Sequence, residues 1–132
     1  MKGMKIIGID YGSVRVGIAT ADTNAGVAFP KTVLENNRSF FDEFKRICEE
    51  EKPDLIVLGE SKDYSGNDNL IMQKIKQFRD KVENEMGLSV AMHPEFLTSA
   101  QASRLQDDNE MLDASAAAII LQAFLDKSKN NE

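Results

Sequence analysis

The chain has 132 residues, with 16 Lys+Arg against 22 Asp+Glu for a formal net charge of −6, and is 42% hydrophobic and 29% charged. That is the composition of one ordinary globular domain, and no apolar run approaches the roughly 18–20 residues that span a bilayer. Residues 1–5 run straight into a strand pattern, which leaves no room for a signal peptide, and the single cysteine, Cys48, excludes an internal disulfide or a cysteine-built zinc site.

Cytoplasmic residence is therefore expected. The acidic balance argues against gripping nucleic acid by bulk charge, because phosphate neutralisation supplies most non-specific affinity.

Residues 4–10 read as a first strand, and residues 14–21 alternate, with Val14, Val16, Ile18 and Thr20 on one face, as a second. Residues 26–33 make a third, which Pro30 directs to a sheet edge. The short links at 11–13 and 23–25 suit hairpins, so an antiparallel meander opens the chain. Ser39 with Asp42 three residues later resembles a capping start for a helix over 40–51, ended by Pro53. The continuous run Leu55-Ile56-Val57-Leu58 marks a strand covered on both faces. A loop with Ser65-Gly66-Asn67 leads to a helix over 68–86, closed by Gly87, and then to a fifth strand over 88–92. Thr98 and Gln101 form a second capping pair for a short helix to Leu105. The last helix is expected over 112–126, followed by a frayed tail. This order predicts an α/β domain over 1–127: a five-stranded mixed sheet, three antiparallel strands then βαβ units, with helices on both faces.

In βαβ units reactive residues gather beyond the carboxyl ends of the parallel strands, which here are Asp10, Glu60 and the segment His93-Pro94-Glu95. Each acid has a structural reading beside the chemical one. Asp10 suits a turn cap, Glu60 and Glu95 suit solvated loops, and Asp113 suits the start of the last helix. A carboxylate ending a buried strand is nevertheless costly unless paired, hydrogen-bonded or metal-bound. If the first and fourth strands are parallel neighbours, Asp10 and Glu60 are expected side by side, where a divalent cation would relieve their repulsion. Asp113 opens the stripe that continues through 116/117, 120 and 124 toward the sheet. Four acids at one end of a sheet point to divalent metal and phosphoryl chemistry. Glycines at 8, 12 and 17 allow a phosphate to approach the backbone closely. His93 reads as a strand-end residue and Cys48 as a small buried hydrophobe.

The run Gly8-Ile9-Asp10-Tyr11-Gly12-Ser13-Val14-Arg15-Val16-Gly17 resembles the G-x-D-x-G-x-x-R-x-G opening of the YqgF/RuvX family. Ile56-Val57-Leu58-Gly59 followed by Gly66 is similar to that family's I-V-x-G…G loop. Glu95 to Ala102 resembles its D-E-R-L-T-T-x-x-A segment, and Asp113 to Asp126 its D-A-x-A-A-x-x-I-L-Q-x-Y-L closing helix. The resemblance covers nearly the whole chain in order. It implies an RNase H-like fold and a nuclease acting on structured nucleic acid: a Holliday junction resolvase, a nuclease maturing the 5′ end of 16S ribosomal RNA, or both. It also implies Asp10, Glu95 and Asp113 as an acidic site for Mg²⁺ or Mn²⁺, phosphate contacts from Gly12, Arg15, Gly66 and Thr98, ribosomal precursors as partners, no membrane, and a symmetric pair of chains.

Three departures stand out. Pro94-Glu95-Phe96 replaces the family's Asp-Glu-Arg, residues 106–110 are acidic where relatives are often basic, and Glu60 occupies a usually apolar position. In the wider RNase H-like resolvases a glutamate stands at the corresponding strand end, so Glu60 is a candidate to supplement Glu95. The first two departures motivate the competing reading, a non-catalytic ribosome-biogenesis or protein-binding module. A third, an actin- or sugar-kinase-type ATPase, needs two such domains, and 132 residues hold one.

Overall fold

The computed structural model describes residues 3–61, 70–95 and 110–130, by backbone alone at 61, 70, 94–95, 110–114 and 128–130. The three opening strands are β1 (Lys5–Tyr11), β2 (Arg15–Asp22) and β3 (Val27–Glu35), and they pair antiparallel in sequence. Then come α1 (Phe40–Glu51), β4 (Leu55–Ser61), α2 (Leu70–Lys81), β5 (Val90–Glu95) and α3 (Glu110–Asn130). β4 lies parallel to β1 and β5 parallel to β4, giving the order β3-β2-β1-β4-β5. This is the expected mixed five-stranded α/β sheet. No helix among the described residues is long and apolar enough to cross a membrane.

Pro30 does lie on an edge strand. The pairing of β2 with β3 shifts there, from Ile18 opposite Thr32 to Ala19 opposite Pro30, so Lys31 is the extra residue of a bulge. The central strands β1 and β4 are apolar on both faces and divide the core into two layers. Ile7, Ile9, Val16, Ile18, Ile56 and Leu58 pack with α1 and α2 through Phe40, Phe44, Cys48, Met72, Ile75 and Phe78. Ile6, Ala19, Ala21 and Val57 pack with α3 through Ala117, Ile120, Leu121 and Leu125. Helix α1 buries positions 40, 44 and 48, one per turn.

Several boundaries differ from expectation. Ser39 makes no side-chain cap. Its N–H instead donates to Asn37 Oδ1 at 2.9 Å, so an Asn-centred turn leads into α1. Helix α1 spans 40–51 as expected; the Lys52 N–H still donates to the Cys48 carbonyl at 2.8 Å, and the left-handed φ of 51° at Lys52 then turns the chain out of the helix before Pro53. The second helix passes into a π-helical turn over Val82–Met86 before Gly87 closes it at φ 68°. Strand β4 runs one residue past its expected end at Glu60, to Ser61. Helix α3 continues to Asn130, so residues 127–130 are helical rather than a frayed tail, since an established helix extends by backbone bonds without an apolar stripe. The short helix expected over 98–105 lies outside the described residues.

Candidate active site

Side chains alternate across a strand, so the two core layers fix which way every residue of β1 and β4 faces. Ile7, Ile9 and Tyr11 belong to the α1/α2 side and Ile6 to the α3 side, so Asp10 faces α3. Its partner on β2 is Gly17. On the other flank, the pairing Ile9–Leu58 advances by one to bring Gly59 beside it. Asp10, half-buried, therefore stands between two strand residues that carry no side chain.

The neighbouring glycines also determine how close α3 comes. A Cβ on Gly8 would lie 2.7 Å from Leu121 Cβ and 3.2 Å from the Ala117 carbonyl oxygen, and one on Gly59 would lie 2.8 Å from Ile120 Cδ1. Gln122 fixes the helix direction. Its Oε1 accepts from Ala28 N–H at 2.9 Å and its Nε2 donates to the Gly26 carbonyl at 3.1 Å, at the end of the sheet where β1 begins. Helix α3 thus runs antiparallel to β1. Position 113 is one turn before Ala117, about 6 Å back along the helix. Asp10 is two residues beyond Gly8, about 6.6 Å along the strand. Asp113 is thereby placed on the stripe over the Asp10 end of β1.

Strand β5 follows the same alternation. Val90 and Met92 pack on the α1/α2 side, so positions 93 and 95 share the side of Asp10. His93 confirms the parity by setting its ring edge-on to Phe124 of α3, with centroids 6.4 Å apart at 86°. This is a packing contact, in keeping with its reading as a strand-end residue. Glu95 pairs with Ser61, two strands over from β1, about 10 Å in the hydrogen-bonding direction. Positions 10, 95 and 113 therefore occupy one face at one end of the sheet.

Glu60 does not join them. It falls in phase with Ile56 and Leu58 and so faces the α1/α2 side, next to Tyr11 and across the sheet from Asp10. The expected side-by-side pair fails because the parallel register sets Asp10 against Gly59, not against residue 60. Among the described residues no three His, Cys, Asp or Glu side chains gather as a metal cluster. The side chains at 95 and 113 lie outside that set. The residues present nevertheless fit a hard cation, since the donors are all carboxylates.

Arg15 opens β2 in phase with Gly17 and Ala19, on the α3 side and diagonal to Asp10, a separation of about 7–8 Å. Gly12 has a structural reason to be glycine, because a Cβ there would run into the Arg15 carbonyl. Asn36 donates from Nδ2 to the Gly12 carbonyl at 2.8 Å and pins the β1–β2 turn. Sequence reasoning missed Asn36, and a lone Asn after a strand gives no signal for such a role. Gly66 and Thr98 lie outside the described residues. Lys5 and Lys31 both reach Glu51 Oε1, each at 3.7 Å, so these two cations are engaged at a distance from Asp10.

The fold places the chain among RuvC-like, RNase H-type domains. A Thermus thermophilus RuvC structure superposes with a TM-score of 0.60 at 14% identity, covering 96% of this chain and 97% of that one. The structure of T. thermophilus RuvC in complex with Holliday junction substrate gives 0.59 at 17% identity over 92% and 94%. A sequence model described as "RuvX: Holliday junction resolvase" matches residues 4–127, and the chain belongs to this family. Among its relatives, a protein of Nitratidesulfovibrio vulgaris named "Putative pre-16S rRNA nuclease" is 34% identical over 92% of this chain and 93% of its own. A protein of the same name from Lawsonia intracellularis is 31% identical over 96% of both.

Proposed function

We propose that this chain is a metal-dependent endonuclease that hydrolyses phosphodiester bonds in structured nucleic acid, in the 5′-end maturation of pre-16S ribosomal RNA or the resolution of four-way junctions. The observation that carries the reading is the placement of positions 10, 95 and 113 on one face, with Asp10 between two glycines, in a RuvX-family chain. Asp10, Glu95 and Asp113 would hold a pair of Mg²⁺ or Mn²⁺ ions. When bound, the metal supplies activation of water and stabilisation of the leaving oxygen.

The chain's own residues do the rest. Gly59 beside Asp10 lets Ile120 of α3 close down on the sheet next to the carboxylate. Arg15 would offer its guanidinium to a non-bridging phosphate oxygen, a charge-assisted contact that orients the backbone for in-line attack. Asn36 holds the Gly12 turn, which keeps the start of β2, and with it Arg15, in register with Asp10. The competing reading, a non-catalytic ribosome-biogenesis module, draws on Phe96 and on the acidic stretch 107–110.

Cleavage of a precursor 16S fragment and of a four-way junction, with and without Mn²⁺, separates the two. The proposal expects Mn²⁺-dependent cleavage of at least one substrate, abolished by Asp10→Asn. Undiminished cleavage by that variant, or none by the wild type on either substrate, would overturn it.

A further inference from the structure

On the other side of the sheet tip from Asp10, a cleft of about 490 Å³ opens between the start of α1, the helix α2 and the β1–β2 turn. That volume is in the range of sites that hold small organic ligands. In a chain of net charge −6 the described lining holds three cations, Arg38, Lys74 and Lys81, and no acid. Two acids lie at its border: Glu35, whose Oε2 accepts from Asn37 Nδ2 at 3.4 Å, and, by register, Glu60 beside Tyr11 on this side of β4.

The rest of the wall is aromatic. Tyr11 packs against Phe40 and Phe78 with centroids 6.0 and 5.3 Å away. Phe40 and Phe78 are buried, whereas Tyr11 and Phe41 are half-exposed. Lys81 Nζ sits 4.1 Å above the Phe41 ring, a cation–π contact that holds the charge over the cleft rather than out in solvent. Cations beside rings are the pairing that single-stranded nucleic acid uses, phosphates on the former and bases on the latter.

Tyr11 directly follows Asp10 and points to the opposite side of the sheet. A strand laid over the β1–β2 turn, whose tip residue Val14 is 71% exposed, would reach both places. We infer that this cleft binds an unpaired nucleotide flanking the scissile phosphate. Its phosphates meet Arg38, Lys74 and Lys81, and its base lies against Tyr11 and Phe41. The inference rests on the nuclease reading for its ligand class but concerns a separate set of residues.

The test is fluorescence anisotropy of the full chain with two labelled RNA hairpins, one carrying a single-stranded flank and one blunt, across a salt series. The expected result is that Arg38→Ala/Lys74→Ala weakens binding of the flanked hairpin at least tenfold, and of the blunt one much less. Loss of two phosphate contacts should also flatten the log–log salt slope by about 1.4. Arg46→Ala/Lys127→Ala removes equal charge from α1 and α3 outside the cleft and should change neither hairpin by more than about twofold. Equal losses in both double variants, an unchanged affinity in a cleft variant with a native melting curve, or no binding of either hairpin by wild type would overturn the inference. Cleavage is read separately. A wild type that binds through the cleft but never cleaves contradicts the nuclease reading alone, whereas cleavage indifferent to the cleft variant contradicts the cleft alone.

Discussion

Gly8→Ala probes the contact that sets α3 over the sheet. The new Cβ would meet Leu121 Cβ at 2.7 Å and the Ala117 carbonyl at 3.2 Å, against 3.4–4 Å for ordinary contact. Neither atom can swing away by rotating a side chain, so the helix itself must move by close to 1 Å. Overpacking of this kind costs about 1–3 kcal/mol, and alanine's strand preference over glycine returns at most about 1. A net loss of about 1–2 kcal/mol lowers the urea midpoint by about 0.5–1 M for a slope of about 2 kcal/mol per molar. Gly59→Ala is the internal control, because it meets Ile120 only at Cδ1, 2.8 Å away and at the end of a flexible side chain. It should cost about 1 kcal/mol or less, and Ile120→Val, which deletes that carbon, should relieve it. Leu121→Ala cannot relieve Gly8→Ala, since the Cβ remains. A 1 Å displacement of α3 also shifts Asp113 against Asp10, so cleavage by folded Gly8→Ala should fall about 100-fold. Urea titration followed by circular dichroism, with single-turnover cleavage on the same samples, reads both effects. A Gly8→Ala protein as stable and active as wild type would refute the reasoning.

Glu95→Gln is expected to lower cleavage at least about 100-fold, as loss of a ligand-type carboxylate does, while Glu60→Gln stays within about threefold of wild type in a single-turnover assay. Burial raises the Cys48 thiol from 9.0 to about 12, so it should resist iodoacetamide at pH 8 in the native protein and react in urea. The unfolded thiol ionises first. The stability that Cys48 contributes is thus complete below pH 9 and lost as pH rises from 9 toward 12, and Cys48→Ala should flatten that part of the stability–pH curve. Gln122→Ala strips partners from Ala28 N–H and the Gly26 carbonyl and should cost about 1–3 kcal/mol in thermal or urea melts.

The strands and their order were legible because burial writes itself into composition. Leu55 to Leu58 could only be a two-sided strand, and Pro30 could only sit at an edge. The site was legible as a set of acids but not as a geometry. Whether Glu60 faces Asp10 depends on the register of β1 against β4, and a one-residue shift reverses the face. The cap of α1 and the end of α3 at Asn130 escaped for a different reason. Asn37 supplies the turn that Ser39 seemed to offer, and α3 extends through polar residues that carry no periodic signal. The cleft could not be read from sequence at all, because Arg38 and Lys74 are 36 positions apart and become neighbours only through the crossover.

The central claim is that the acids at 10, 95 and 113 form one cation site on the α3 side of the sheet. Titrating Mn²⁺ into the isotopically labelled full chain and recording paramagnetic broadening of amide signals tests it most directly. Broadening should centre on the ends of β1 and β5 and the start of α3, and should vanish in Asp10→Asn. Broadening centred on Glu60 and the α2 cleft, or undiminished in Asp10→Asn, would contradict the account.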